Sequence, residues 1–338
     1  MPNPTLLDQI KRTDPDGQIA DIVEALSERN PILQDAVAIE GNLPTGSRIT
    51  IRSGLPAVGW RRINQGTTAS KSSTIQVDET CGLLNGRSEV DVELARLNGN
   101  EMAFRASEER SFMQSLNITA ADALMYSNTS VTPEEIHGFT PRFDSLSGGN
   151  SDNIIDFDDF VTTGAAGDDC RSIWFITWGE DTAHMIYPKG TKAGIDNEDM
   201  GKQYIEDPTD HTLKFLAWVT EWNWRLGLAI RDWRYCVRIC NIDPSNAPEF
   251  LGTHGTNDHP EAFAEAMTEA YNRLYDTSTG RLVIYMSRQV KSWIERARLY
   301  RSNVEFSPVD WHGQSVTGFR GIPIVAIDAL NTDENVVT

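Results

Sequence analysis

Residues 41–77 read GNLPTGSRITIRSGLPAVGWRRINQGTTASKSSTIQV and contain no aspartate or glutamate. The same stretch carries Arg48, Arg52, Arg61, Arg62 and Lys71. The whole chain has 338 residues, 30 Lys+Arg and 49 Asp+Glu, for a net charge of −19. At that average density about 5 acids would fall in such a stretch, so acid has been kept out of it. SRITIR, AVGWRRI and STIQVDE have strand character, and the Gly, Thr, Ala and Ser between the last two read as a flexible polar tip. The spacing predicts an extended basic hairpin on an acidic body. Such a projection suits contact with another copy of the chain, because complementary charge steers and registers association.

The text on either side builds outward from that hairpin. SEVDVELARL alternates, with Val90, Val92 and Leu94 on one face and Glu89, Asp91 and Glu93 on the other, which predicts a strand. Residues 100–127 read as one long helix of about 38 Å, opened by a capping box of Asn98 and Glu101. Met102, Ala106, Met113, Leu116, Ala120 and Leu124 form its apolar stripe, with Arg105, Glu108, Glu109 and Arg110 opposite. Thr132-Pro133-Glu134-Glu135 predicts a further short helix start. Upstream, Ile19, Ile22, Val23 and Leu26 predict a helix over Gly17–Arg29, ended by Asn30-Pro31. Residues 144–170 are rich in Gly, Ser and Asp and read as a surface excursion. Beyond Arg171 the pattern is mixed. RSIWFITWG, HMIYPKG, the run Leu213–Ile242, RLVIYM and IPIVAIDAL read as strands. HPEAFAEAMTEAYNRLYD and SRQVKSWIERARLY read as helices. Trp218, Trp222 and Trp224 share one parity, and a break near Glu221–Asn223 is expected.

Several function classes lose support. There is no GxSxG, HExxH, P-loop or GxGxxG, so no catalytic residue and no cofactor is assigned. No apolar run approaches the roughly 18 residues of a membrane helix, and the N-terminal text lacks a signal-peptide core. Cys81, Cys170, Cys236 and Cys240 are too scattered for a disulfide framework and read as free, buried thiols. His254 and His259, with Asp258 and Glu261, form a loop before a helix in preference to a metal site. DFDDF near Asp156 lacks the Gly and Glu of a calcium loop. The acidic balance argues against direct gripping of phosphate and suits a container whose wall must not hold its contents. Two other readings compete: a hydrolase using carboxylates such as Glu180 and Asp181, and a tryptophan-rich carbohydrate-binding or accessory virion protein.

SIWFITWGEDTAHMIYPKGTKAGIDNEDMG, WRLGLAIRDWRYCVRICNID and EERSFMQSLNITAADALMYSNTSVTPEEIHGFTPRF resemble the Hong Kong 97-type major capsid proteins of tailed phages. Within them the text is most similar to the short-tailed group that includes epsilon fifteen. The resemblance implies an α+β fold. Residues 1–50 would be an N-terminal arm and 51–97 the extension loop. Residues 98–169 would form a peripheral domain with the spine helix, and 170–305 an axial domain. Residues 306–338 would return to the peripheral domain. It also implies hexamers and pentamers closing an icosahedral shell around double-stranded DNA, bound without sequence preference and away from membranes, in a virion assembled in the bacterial cytoplasm.

The founding family member joins subunits by a Lys–Asn bond assisted by a Glu. Lys71 lies at a plausible position, but no Asn or Glu here matches, so non-covalent locking is expected. No fused scaffold segment is evident, which predicts a separate scaffold protein, alongside a portal and a cement protein. The expected assembly contacts are Arg48, Arg52, Trp60, Arg61, Arg62 and Lys71 on the finger, meeting Glu108 and Glu109 on a neighbour's long helix.

Overall fold

The structure is a computed structural model and describes residues 4, 28–97, 101–207, 210–247, 261–300 and 306–338. The helix expected over Gly17–Arg29 lies outside these residues except for its last two positions, and His254, Asp258 and His259 lie outside them too.

The chain enters through α1 (Ile32–Asp35), β1 (Ala38–Glu40) and the paired strands β2 (Gly46–Gly54) and β3 (Ser73–Asp91). Next come α2 (Val92–Arg96), the long α3 (Glu101–Tyr126) and β4 (Ile154–Asp156). Five strands follow: β5 (Arg171–Trp178), β6 (Ala183–Tyr187), β7 (Ile195–Glu206), β8 (Lys214–Ile230) and β9 (Cys236–Ile242). The remainder is α4 (Ala262–Arg273), β10 (Arg281–Met286), α5 (Arg288–Tyr300), β11 (Phe306–Trp311), β12 (Gln314–Phe319) and β13 (Ile322–Ala326).

β5 is the centre of the molecule. β9 and β10 flank it antiparallel, and β13 adds parallel to β10. A strand buried on both faces should read as an unbroken apolar run, and RSIWFITW does so. Its alternation separates two cores. Trp174, Ile176 and Trp178 face Ala120, Leu124, Phe139 and Phe143. Ile173 and Phe175 face Phe263, Met267, Val290 and Trp293 of α4 and α5. The sheet is therefore the middle layer of a sandwich, with α3 behind and α4 and α5 in front.

A second region grows from β8, whose residues pair with β3 on one side and β7 on the other. The expected break near Glu221–Asn223 is absent, because both residues sit in an unbroken strand held on both edges. Asn85 on β3 donates to Glu221 Oε1 and Asn223 Oδ1 at 2.8 and 2.7 Å, so these polar positions are satisfied within the sheet. Trp218, Trp222 and Trp224 lie on the face toward α3.

Four further expectations change. AVGWRRI is not a strand: the ladder of β2 with β3 ends at a bulge between Arg52 and Gly54, and no partner strand continues it. SEVDVELARL is strand only to Asp91, whose side chain accepts from Glu93 N at 2.8 Å and caps α2. Leu94 and Ala95 then pack with Phe104. Thr132–Glu135 makes a turn, tied by Thr132 Oγ1 donating to Glu135 Oε2 at 3.0 Å. It does not propagate, because Ile136 is drawn into the core and Gly138 N bonds to Ser127 O. Residues 144–170 are docked and not a free excursion: β4 pairs with β9, and Phe157 packs against Phe263 at 4.9 Å.

Candidate assembly surface

The hairpin stands out as expected from its charge. β2 and β3 pair antiparallel from Gly46↔Thr80 through Ile51↔Ile75. Gly46 opens the ladder with φ +154°, and a Cβ there would lie 2.0 Å from Glu79 O, so only glycine allows the strands to meet. The root is fixed beside it. Arg142 donates to both carboxylate oxygens of the buried Glu79 at 2.6 and 2.7 Å, and also to the carbonyls of His137 and Gly138. A bidentate, desolvated pair of this kind sets direction as well as energy.

Beyond the ladder, residues 55–72 are exposed and touch almost none of the other described residues. A turn from Gln65 N to Arg62 O and a bond from Ser70 Oγ to Ala57 O give the loop its shape. Leu55, Val58, Trp60 and Ile63 are 80, 93, 106 and 91% exposed. Of nine tryptophans in the chain, Trp60 is the one exposed. Large apolar side chains held in water mark an interaction site. Arg52, Arg61, Arg62 and Lys71 are exposed as well, and among the described residues no acid pairs with them. Arg48 differs, because it is bonded to Asp78 at 2.5 and 2.7 Å, which holds that carboxylate below its usual range. Its charge is answered inside the ladder.

Of the two expected acidic partners, one is buried and the other partly exposed. Glu108 is buried, only 7% exposed, on the inner face of α3. Glu109 accepts from Thr220 Oγ1 at 3.3 Å and lies 3.6 Å from Arg105. The stripe that meets the sheet is Phe104, Glu108, Phe112, Leu116, Ala120 and Leu124, a strict fourfold spacing. Met102 and Met113, expected to face inward, are exposed. Two aromatic anchors decide the rotation of the helix. Phe112 stacks on Trp222 with centroids 5.0 Å apart, a contact of about 0.5–1.5 kcal/mol beyond burial. Arg105 is likewise inward, its guanidinium 4.4 Å from the Trp218 ring and 2.8 Å from Asp199. Phe104 and Phe112, eight residues apart, were the signal for this face.

Beside the finger's root, the second half of α3, the part of β3 beyond the ladder and the 131–136 turn line an open cavity of about 570 Å³. Leu84, Ala120, Ala123, Val131, Ile136 and Leu226 line it. The other tryptophans offer no platform for sugar. Trp174, Trp178 and Trp222 are sealed in the interior, and Trp224 and Trp233 pack against the core. The carbohydrate-binding alternative gains no support from these side chains. Among the described residues no group of three His, Cys, Asp or Glu could hold a metal.

A basic, apolar-tipped finger, a long helix packed against β3, β8 and the β5 sheet, and an α/β sandwich together define a shell-building subunit of the Hong Kong 97-like capsid fold. The family model for major capsid protein GP7 matches residues 14–338, and the chain belongs to that family. It is a phage structural protein that associates with itself to build the virion's icosahedral shell. A structure of bacteriophage Epsilon15 at near-atomic resolution is 31% identical, with 100% of this chain and 98% of that chain covered and a TM-score of 0.78. The capsid of bacteriophage JBD30 is 9% identical, with coverage of 92% and 96% and a TM-score of 0.46. No curated protein matches the chain.

Proposed function

We propose that copies of this chain close into hexamers and pentamers, and that the finger is the non-covalent joint between neighbouring copies. The observation that carries this reading is the finger itself: a basic tip with Trp60 exposed and, among the described residues, unpartnered, on a protein of net charge −19. In this reading residues 1–50 act as the arm and 51–97 as the extension loop. Residues 98–169 form the peripheral domain, 170–305 surround the capsomer axis, and 306–338 return to the periphery.

The shell encloses double-stranded DNA without reading its sequence. An acidic wall repels the phosphate backbone and lets the genome slide during packaging. Assembly takes place in the host bacterial cytoplasm with a separate scaffold protein, a portal and a cement protein as partners. Locking is non-covalent, so boiled shells run as single 37.7 kDa chains. The test is the double substitution Arg61→Glu and Arg62→Glu. It is expected to leave a folded subunit, with unchanged circular dichroism and melting, that no longer forms shells under the electron microscope. Normal shells from that variant would overturn the proposal.

A further inference from the structure

We infer that the cavity beside α3 is the socket for the finger tip of a second copy, with Trp60 as the inserted side chain. The inference rests on the finger being the joint and names what the joint fits. Three observations carry it.

The first is complementarity. The tip presents Val58, Trp60 and Ile63 to water, and the cavity offers apolar walls of a size that takes an indole ring and its neighbours. An aromatic anchor in a pocket, with charge around it, is the usual centre of binding energy between proteins.

The second is charge. Asp122, Glu134 and Glu135 stand among the lining residues. Glu135 is held by Ser127 and Thr132. Among the described residues no cation pairs with Asp122, and its nearest charged influence is Glu28, another acid. Arg61 and Arg62 directly follow Trp60 and, among the described residues, are equally unpaired. Insertion of Trp60 brings the two sets together, because the basic pair directly follows the tryptophan in sequence.

The third is distance. The cavity opens at Gly82–Leu84 on the same strand that carries the finger outward. From Gly82 back to Ser73 the strand extends about 30 Å at about 3.4 Å per residue, and the tip lies at the far end. With the root clamped by Glu79 and Arg142, a finger cannot reach its own socket without breaking its ladder. Finger and socket are different patches, so the contact is head-to-tail, the kind that forms a ring when its rotation closes.

The experiment places a photo-crosslinker at the tip, Trp60→p-benzoylphenylalanine, in shells assembled from equal parts of isotope-labelled and unlabelled subunits. The reciprocal probe, Val131→p-benzoylphenylalanine, sits on the exposed rim. Mass spectrometry then reads which residues are joined and whether the join mixes labels. Mixed-label products linking position 60 to residues 119–136, and position 131 to residues 55–72, are the expected result. Mixed-label products that place the tip elsewhere on a neighbour overturn the socket and leave the finger as the joint. Joins confined to one label overturn both. As a companion measurement, Trp60→Ala is expected to raise the subunit concentration needed for assembly by about tenfold or more, and an unchanged threshold counts against the socket.

Discussion

Replacing Glu334 by alanine should destabilise the folded subunit by about 3–5 kcal/mol, the usual loss when one member of a buried ion pair is removed. Arg238 on β9 is only 1% exposed and Glu334 only 7%. Arg238 Nη2 lies 2.7 Å from Glu334 Oε2, while Nε donates to Ser172 Oγ at 3.1 Å. Ser172 Oγ in turn donates to Glu334, and Tyr126 Oη on α3 donates to its other oxygen at 2.9 Å. One carboxylate thus ties α3, β5, β9 and the last residues together. Without it, a guanidinium stays in the core against Ser172 and the Phe143 carbonyl, and the Tyr126 hydroxyl loses its acceptor. At roughly 2 °C per kcal/mol for a chain of this size, melting should fall by roughly 6–10 °C.

The assay is guanidinium unfolding of the unassembled subunit followed by tryptophan fluorescence, since Arg238 lies 5.3 Å from the Trp174 ring and any change there is reported directly. A double substitution, Arg238→Met with Glu334→Leu, should recover most of the loss, because apolar replacement of a whole buried pair is often neutral or better. A loss under about 1 kcal/mol for Glu334→Ala, or a double variant worse than the single one, would refute the reasoning.

Asp122 gives a pH dependence. Burial first, and Glu28 second, push its carboxyl up from 3.8 to about 6, so the folded subunit favours the protonated form. Its contribution is complete below pH 3.8 and is lost as pH rises through about 6. Asp122→Asn should therefore melt higher than the parent at pH 7.5, with the gap closing toward pH 4; a constant gap across that range would contradict the assignment. Burial pushes the thiols up, Cys81 and Cys170 to about 11 and Cys236 and Cys240 to about 12. Native protein at pH 8 should react with iodoacetamide far more slowly than free cysteine, and all four thiols should react in denaturant; rapid native labelling would overturn this. Phe112→Ala should cost about 2–3 kcal/mol through the lost burial of a half-buried ring together with the Trp222 stack, read by thermal melting; a loss within about 0.5 kcal/mol would show that another contact sets the rotation of α3.

Much of the fold could be read from sequence because its central strands are buried on both faces. RSIWFITW and RLVIYM carry apolar residues at both parities, which two covered faces require. The length of α3 was equally legible, but its rotation was not. Met102, Ala106 and Met113 complete a plausible stripe, and only the packing of Phe104 and Phe112 against β3 and β8 selects the other face. That choice buries Glu108 and leaves Glu109 only partly exposed beside Arg105. The finger was visible through charge sorting alone, because isolation from the body leaves its composition free of any core pattern. The cavity was not visible: Leu84, Ala120, Ile136 and Leu226 come from four separate stretches. The pairs Glu79–Arg142 and Arg238–Glu334 are just as distant in sequence, and no local period marks them.

Reconstruction of the closed shell by cryo-electron microscopy asks whether fingers join copies. The expected map shows residues 55–72 of every subunit buried against a different subunit, with Trp60 out of water. A closed shell in which those residues lie against their own chain, or stand free in solvent, would contradict it.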